Sequence, residues 1–186
     1  MFDNIILISI ILLISFNTFN CSKAYTAAEI AKLMDDNLKS NSLKKYYMTI
    51  DPDRLLEDMK YRMITKYHEI LNNKYNLNIV VVLAKKLKVY ENSTFIEELH
   101  KEVAKPKKLK SKQGLIITMT TETKDLQIEA TEELKPVFTD EIIVKLINKM
   151  KPTFKDDDWF SNIFELLKKI HIMYQQHNFH VPITDL

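Results

Sequence analysis

Glycine is almost absent from this chain: Gly114 is the only one among 186 residues. Phosphate-cradling loops, dinucleotide-binding fingerprints and the nucleophile elbow of α/β-hydrolases need glycines at fixed spacings, so those chemistries are excluded. Cysteine is equally scarce. Cys21 stands alone, so no intrachain disulfide can form and the fold must rest on burial. No apolar run reaches the roughly 20 residues that a membrane-spanning helix needs. Charge of one sign is not in excess either. The 27 basic and 25 acidic side chains leave a net charge of +2, which predicts neither nucleic acid nor a membrane surface as a bulk partner.

What is present begins with Ile5 to Phe16, IILISIILLISF, twelve residues without a charge. That is the length of a signal-peptide core, and Ser22-Lys23-Ala24 supplies the small-x-small cleavage pattern. The expectation is a signal peptide over residues 1–24, a mature chain starting at Tyr25, and a protein secreted or held in the lumen of the secretory pathway. The first four residues hold Asp3 and no Lys or Arg, so the other reading is an uncleaved signal anchor. Lipidation of Cys21 is rejected, because Thr18-Phe19-Asn20 lacks the small residues of a lipobox. Cleavage removes Cys21, and the remaining 162 of 186 residues suffice for a sizeable core. Asn92-Ser93-Thr94 is an acceptor sequon for glycosylation at Asn92.

Along the chain, Thr26 and Glu29 form a capping box ahead of Ala27, Ile30, Met34 and Leu38. Residues 25–45 are read as this helix and a linker, 46–176 as the main domain and 177–186 as a tail. Tyr46 to Ile50 suits a short strand. Asp51-Pro52 reads as an N-cap with proline in the first turn, opening a helix whose inward stripe is Leu56, Met59, Met63, Tyr67 and Ile70. Ile79 to Ala84 and Leu115 to Thr120 are apolar on both faces, as doubly covered strands require. They should be adjacent, parallel and central. The crossover between them, through a helix capped by Thr94 and Glu97, should be right-handed. Leu126 to Thr131 alternates and suits a strand near a sheet edge. Asp140 is read as capping a helix ended by Pro152, and Asp156 to Asp158 introduce a last helix, with Trp159 and Phe160 as core anchors. The fold class is α/β, a small mixed sheet with helices packed on both faces.

These landmarks resemble the TPM-domain family of extracytoplasmic α/β domains. They are Ile50-Asp51-Pro52-Asp53, Asn78 to Leu83, Gly114 to Ile117, Leu126 to Ala130 and Thr139-Asp140. Pro152, then Asp156 to Asp158, then Trp159 and Phe160 complete the pattern. The resemblance covers about Tyr46 to Tyr174, and the Asp-Pro-Asp start is similar to the animal branch, which includes the modulator of the levamisole receptor. It implies a TPM-like fold, and it raises calcium binding and phosphatase activity, both reported for some members.

Acidic residues gather at the predicted helix starts: Asp51, Asp53, Asp140, Asp156, Asp157 and Asp158. Helix N-termini favour carboxylates for structural reasons alone. The functional reading sets Asp53, Asp140, Asp157 and Asp158 on one rim as oxygen ligands for Ca²⁺, the one cofactor considered. Lys105, Lys107, Lys108, Lys110 and Lys112 form a basic loop, read as a solvated connector or as a contact for an anionic glycan, phosphate or acidic protein face. Lacking arginine and interleaved aromatics, that loop is a poor nucleic-acid binder. His171, His177 and His180 lie near the C-terminus without a fourth metal ligand. No nucleophile–base set is apparent. The function expected is a secreted, non-enzymatic interaction domain with a protein partner, an accessory to a receptor or extracellular complex. The alternative is a phosphatase assisted by Ca²⁺ or Mg²⁺.

Overall fold

A computed structural model of the chain describes residues 22–40, 48–88, 94–103 and 114–178. Residues 1–21 of the expected signal segment, Asn92, His180 and the five lysines of the basic loop lie outside the described residues.

The elements run β1 (Ala24–Tyr25), α1 (Ala27–Ser40), β2 (Met48–Ile50), α2 (Asp58–Tyr75), β3 (Asn78–Ala84), β4 (Lys86–Leu87), α3 (Phe95–Val103), β5 (Gly114–Thr120) and β6 (Asp125–Ala130). Helix α4 (Asp140–Met150), a 3₁₀ turn (Lys151–Asp156) and α5 (Trp159–Asn178) complete the chain. The sheet has the order β2-β3-β5-β6. As expected, β3 and β5 are central and parallel, Ile79 facing Leu115 and Ala84 facing Thr120. Strand β2 pairs parallel on one side and β6 antiparallel on the other. A small parallel pair, β1 with β4, sits apart from this sheet.

Alternation along β3 and β5 sends side chains into two cores. Ile79, Val81 and Leu83, with Leu115, Ile117 and Met119, face α2, α4 and α5. Val80, Val82 and Ile116 face Ile30 and Met34 of α1 and Phe95 and Leu99 of α3. Each such side chain, once fully buried, contributes about 1.5–3 kcal/mol. The crossovers β2–α2–β3 and β3–α3–β5 step the same way across the sheet, while their helices lie on opposite faces. Two such connections must differ in hand, so the right-handed preference holds for only one of them.

Local caps form where sequence spacing places them. Thr26 and Glu29 exchange backbone–side-chain bonds of 2.9 and 3.2 Å, and Thr94 and Glu97 do the same at 3.0 and 3.3 Å. Two helix starts differ from expectation. Thr139 rather than Asp140 caps α4, its hydroxyl accepting from Ile142 N–H. Asp51 does not cap α2. Its two carboxylate oxygens accept the N–H groups of Leu55 and Leu56 at 2.9 and 2.8 Å, closing a turn in which Arg54 adopts φ 52. Helix α2 starts only at Asp58, after Glu57. Its inward face is only in part the stripe expected: Leu56 is buried just ahead of the helix and Tyr67 packs against the core. Ile64, His68 and Leu71 are buried, whereas Met59, Met63 and Ile70 are 74%, 47% and 44% exposed. Both stripes have helical spacing, and packing on β3 selects Ile64, His68 and Leu71. Trp159 is buried against Phe154, ring centroids 5.4 Å apart, in the core role expected of it. Phe160 is half-buried and stacks on Phe164.

Candidate functional site

Ligands of open α/β sheets bind outside the carboxyl ends of the parallel strands, so that end is the place to look. The turn after β2 presents Asp53, whose Oδ2 accepts Lys85 N–H at 2.7 Å and whose Oδ1 accepts the Tyr25 hydroxyl at 3.3 Å. Asp53 thereby ties β1, the β2–α2 turn and the β3–β4 junction together. Beside it, half-burial raises the Asp51 pKa despite the N–H bonds from Leu55 and Leu56. Burial likewise raises that of Tyr25, with the Asp53 charge adding to the effect.

The other proposed ligands are spent differently. Asp157, at φ 53, forms an ion pair with Lys124 at 3.1 Å. Asp158 accepts the Ser161 N–H at 3.2 Å and its hydroxyl at 2.6 Å, and these two bonds hold its carboxyl below the ordinary range, the hydroxyl contributing most. Asp140 is exposed in the first turn of α4. The structure therefore sets Asp51 and Asp53 in one turn and Asp157 and Asp158 in another. Among the described residues, no three His, Cys, Asp or Glu side chains come together in a group that could hold a metal ion.

A polar crevice that sequence reasoning did not single out lies at the end of β5. Thr118 pairs across the sheet with Gln127, and Thr120 with Asp125. Together with Thr123, Phe95 and Leu87 they line about 380 Å³. Gln127 Nε2 donates to Asp125 Oδ2 at 3.0 Å, while its Oε1 is buried without a hydrogen-bond partner. The available signal was alternation: Thr118 and Thr120 share one face of an otherwise apolar strand, opposite Asp125, Gln127 and Glu129.

The third feature is the outer side of α2. Met59, Met63 and Ile70 lie on one stripe, exposed to solvent, with Arg62, Lys66 and Lys74 between and beside them, also exposed. The seam between α2 and α5 borders this face. Tyr67 O–H and His171 Nδ1 are hydrogen-bonded at 2.9 Å, and Tyr75 packs on His171 with centroids 4.8 Å apart. Burial, then the Lys74 charge, lowers the His171 pKa. His177 is exposed in the last turn of α5, so it does not share the seam that encloses His171.

Comparison with protein families gives one decisive match, to the TPM domain over residues 49–171. The chain belongs to the TPM-domain family. Its fold is similar to the N-terminal domain of a protein from P. gingivalis, with a TM-score of 0.66 at 12% identity, covering 83% of this chain and 94% of that one. It is also similar to the BA42 protein of the psychrophilic bacterium Bizionia argentinensis, with a TM-score of 0.53 at 16% identity, covering 66% and 83%. No curated protein sequence matches. At these identities the likeness is one of fold. In this TPM domain the matched span opens inside β2, so β1 and α1 precede it. Ala27, Ile30, Ala31 and Met34 of α1 are nevertheless part of the second core. No described helix of the TPM domain is long and apolar enough to cross a membrane.

Proposed function

We propose that this TPM domain is a non-enzymatic interaction module of the secretory pathway or extracellular space, an accessory to a receptor or extracellular complex. The observation that carries the reading is the outer side of α2. A helix in the middle of the domain turns Met59, Met63 and Ile70 to solvent on one side while a different stripe does the packing, and apolar side chains aligned at the surface favour an interaction site. The signal-like segment and the Asn92 sequon support an extracytoplasmic setting. The metal-assisted phosphatase has less support, since among the described residues no three His, Cys, Asp or Glu side chains come together to hold a metal ion.

The test has two arms. Material secreted by a eukaryotic host is expected to begin at Tyr25, shown by N-terminal sequencing. The same material is expected to give no turnover of p-nitrophenyl phosphate with Ca²⁺ or Mg²⁺. Metal-dependent turnover that Asp140→Ala and Asp158→Ala abolish would overturn the reading and establish the phosphatase.

A further inference from the structure

Resting on the interaction reading, we propose that the outer face of α2 docks an acidic amphipathic helix of a partner protein. Helix α2 carries two stripes, one on each side. Ile64, His68 and Leu71 are enclosed by the sheet and its neighbours, so α2 is a fixed rod whose other side cannot turn inward. On that other side Met59, Met63 and Ile70 follow at spacings of four and seven, one line along the helix. The line is about 16 Å long from Met59 to Ile70, the footprint of roughly three turns of a second helix.

Charge decides the occupant. Arg62, Lys66 and Lys74 flank the apolar line. Lys66 is paired with Glu69 at 2.7 Å, and Lys74 lies over the Tyr75 ring at 5.2 Å. An exposed ion pair of this kind is worth little, so an acidic partner can compete with Glu69 for Lys66. A helix carrying apolar residues at i, i+4 and i+7, with Glu or Asp beside them, would cover the apolar line and neutralise the cations together. An anionic bilayer fits less well. Helices that lie on membranes bury Trp, Phe and Leu, and this line contains none of the three. Its methionines are flexible and polarizable, suited to packing against another helix. A second copy fits less well again, because two such faces would oppose cation to cation.

Two designed peptides of about 18 residues, long enough for helix formation, test the proposal. They share a leucine stripe, flanked in one by glutamates and in the other by lysines. Each is labelled and titrated with the full chain by fluorescence anisotropy. The glutamate peptide is expected to bind at least about tenfold more tightly. Met63→Glu with Ile70→Glu should abolish its binding, and Arg62→Glu with Lys66→Glu should erase the preference. All four positions are exposed, and circular dichroism confirms that the variants keep the fold. Equal binding of the two peptides, binding of neither, or binding that the substitutions do not change would overturn the proposal. So would sedimentation with phosphatidylserine-containing vesicles, or a concentration-dependent dimer, if either is lost in Met63→Glu with Ile70→Glu. Each of these outcomes moves the surface or its occupant while leaving a non-enzymatic module standing. Only metal-dependent phosphate turnover removes that reading itself.

Discussion

His68 occupies the inward face of α2 with no exposed surface, and its Nδ1–H donates to the Ile79 carbonyl at 3.0 Å. Burial pushes its pKa down to about 4 from 6.5. The folded chain therefore keeps the imidazole neutral where the unfolded chain takes up a proton. This contribution is fully present above pH 6.5 and is lost as pH falls toward 4, since the unfolded state binds more protons across that window. The loss is roughly 3 kcal/mol. Urea midpoints at pH 7.5 and 4.5 should differ accordingly, and His68→Gln, which keeps a donor for Ile79, should flatten most of the slope. An unchanged slope in the variant would assign the pH dependence to other groups. At the same scale, the role of Asp53 was beyond sequence reasoning. Its partners Tyr25 and Lys85 are 28 and 32 residues away, so nothing local distinguishes a strut from a ligand.

At the scale of the element, the caps were legible and the phase of α2 was not. Thr26 with Glu29 and Thr94 with Glu97 act over three residues, and short-range geometry decides them. Helix α2 carries two stripes of helical spacing, and the buried one contains His68, which counts against it in any hydrophobic tally. Which stripe packs depends on where the turn closed by Asp51 releases the chain onto β3. The assignment is testable by truncation. Ile64→Ala should cost about 2–5 kcal/mol, whereas Met63→Ala should change stability by no more than about 0.5 kcal/mol, read from denaturant midpoints. Comparable losses would mean that the methionine stripe faces inward after all.

At the scale of the molecule, α1 is integral to the domain although it lies before the span that defines the family. Ala27, Ile30, Ala31 and Met34 cover Val80, Val82 and Ile116 jointly with α3. A chain starting at residue 46, the boundary that sequence composition suggests for the main domain, would expose that face. It is expected to associate on size-exclusion chromatography and to lose the sharp thermal transition of the longer chain. A monomer with an undiminished transition would show that α1 is dispensable. The composition of the sheet was legible at this scale, because strands covered on both faces must be apolar on both faces. Ile79 to Ala84 and Leu115 to Thr120 announce themselves in this way, and the alternation of Leu126 to Ala130 announces the edge. The polar crevice was half legible, in Thr118 and Thr120, but only the β5–β6 register sets them opposite Gln127 and Asp125.

By itself, then, the sequence determined the α/β class, the central parallel pair, the two capping boxes and the burial of Trp159, since each follows from periodicity or from contacts a few residues apart. Tertiary structure alone decided the outward stripe of α2, the opposite hands of the two crossovers and the partners that Asp53 and Asp157 take. Those depend on which strand ends come together and which face each helix covers, and such long-range choices leave no mark in local spacing.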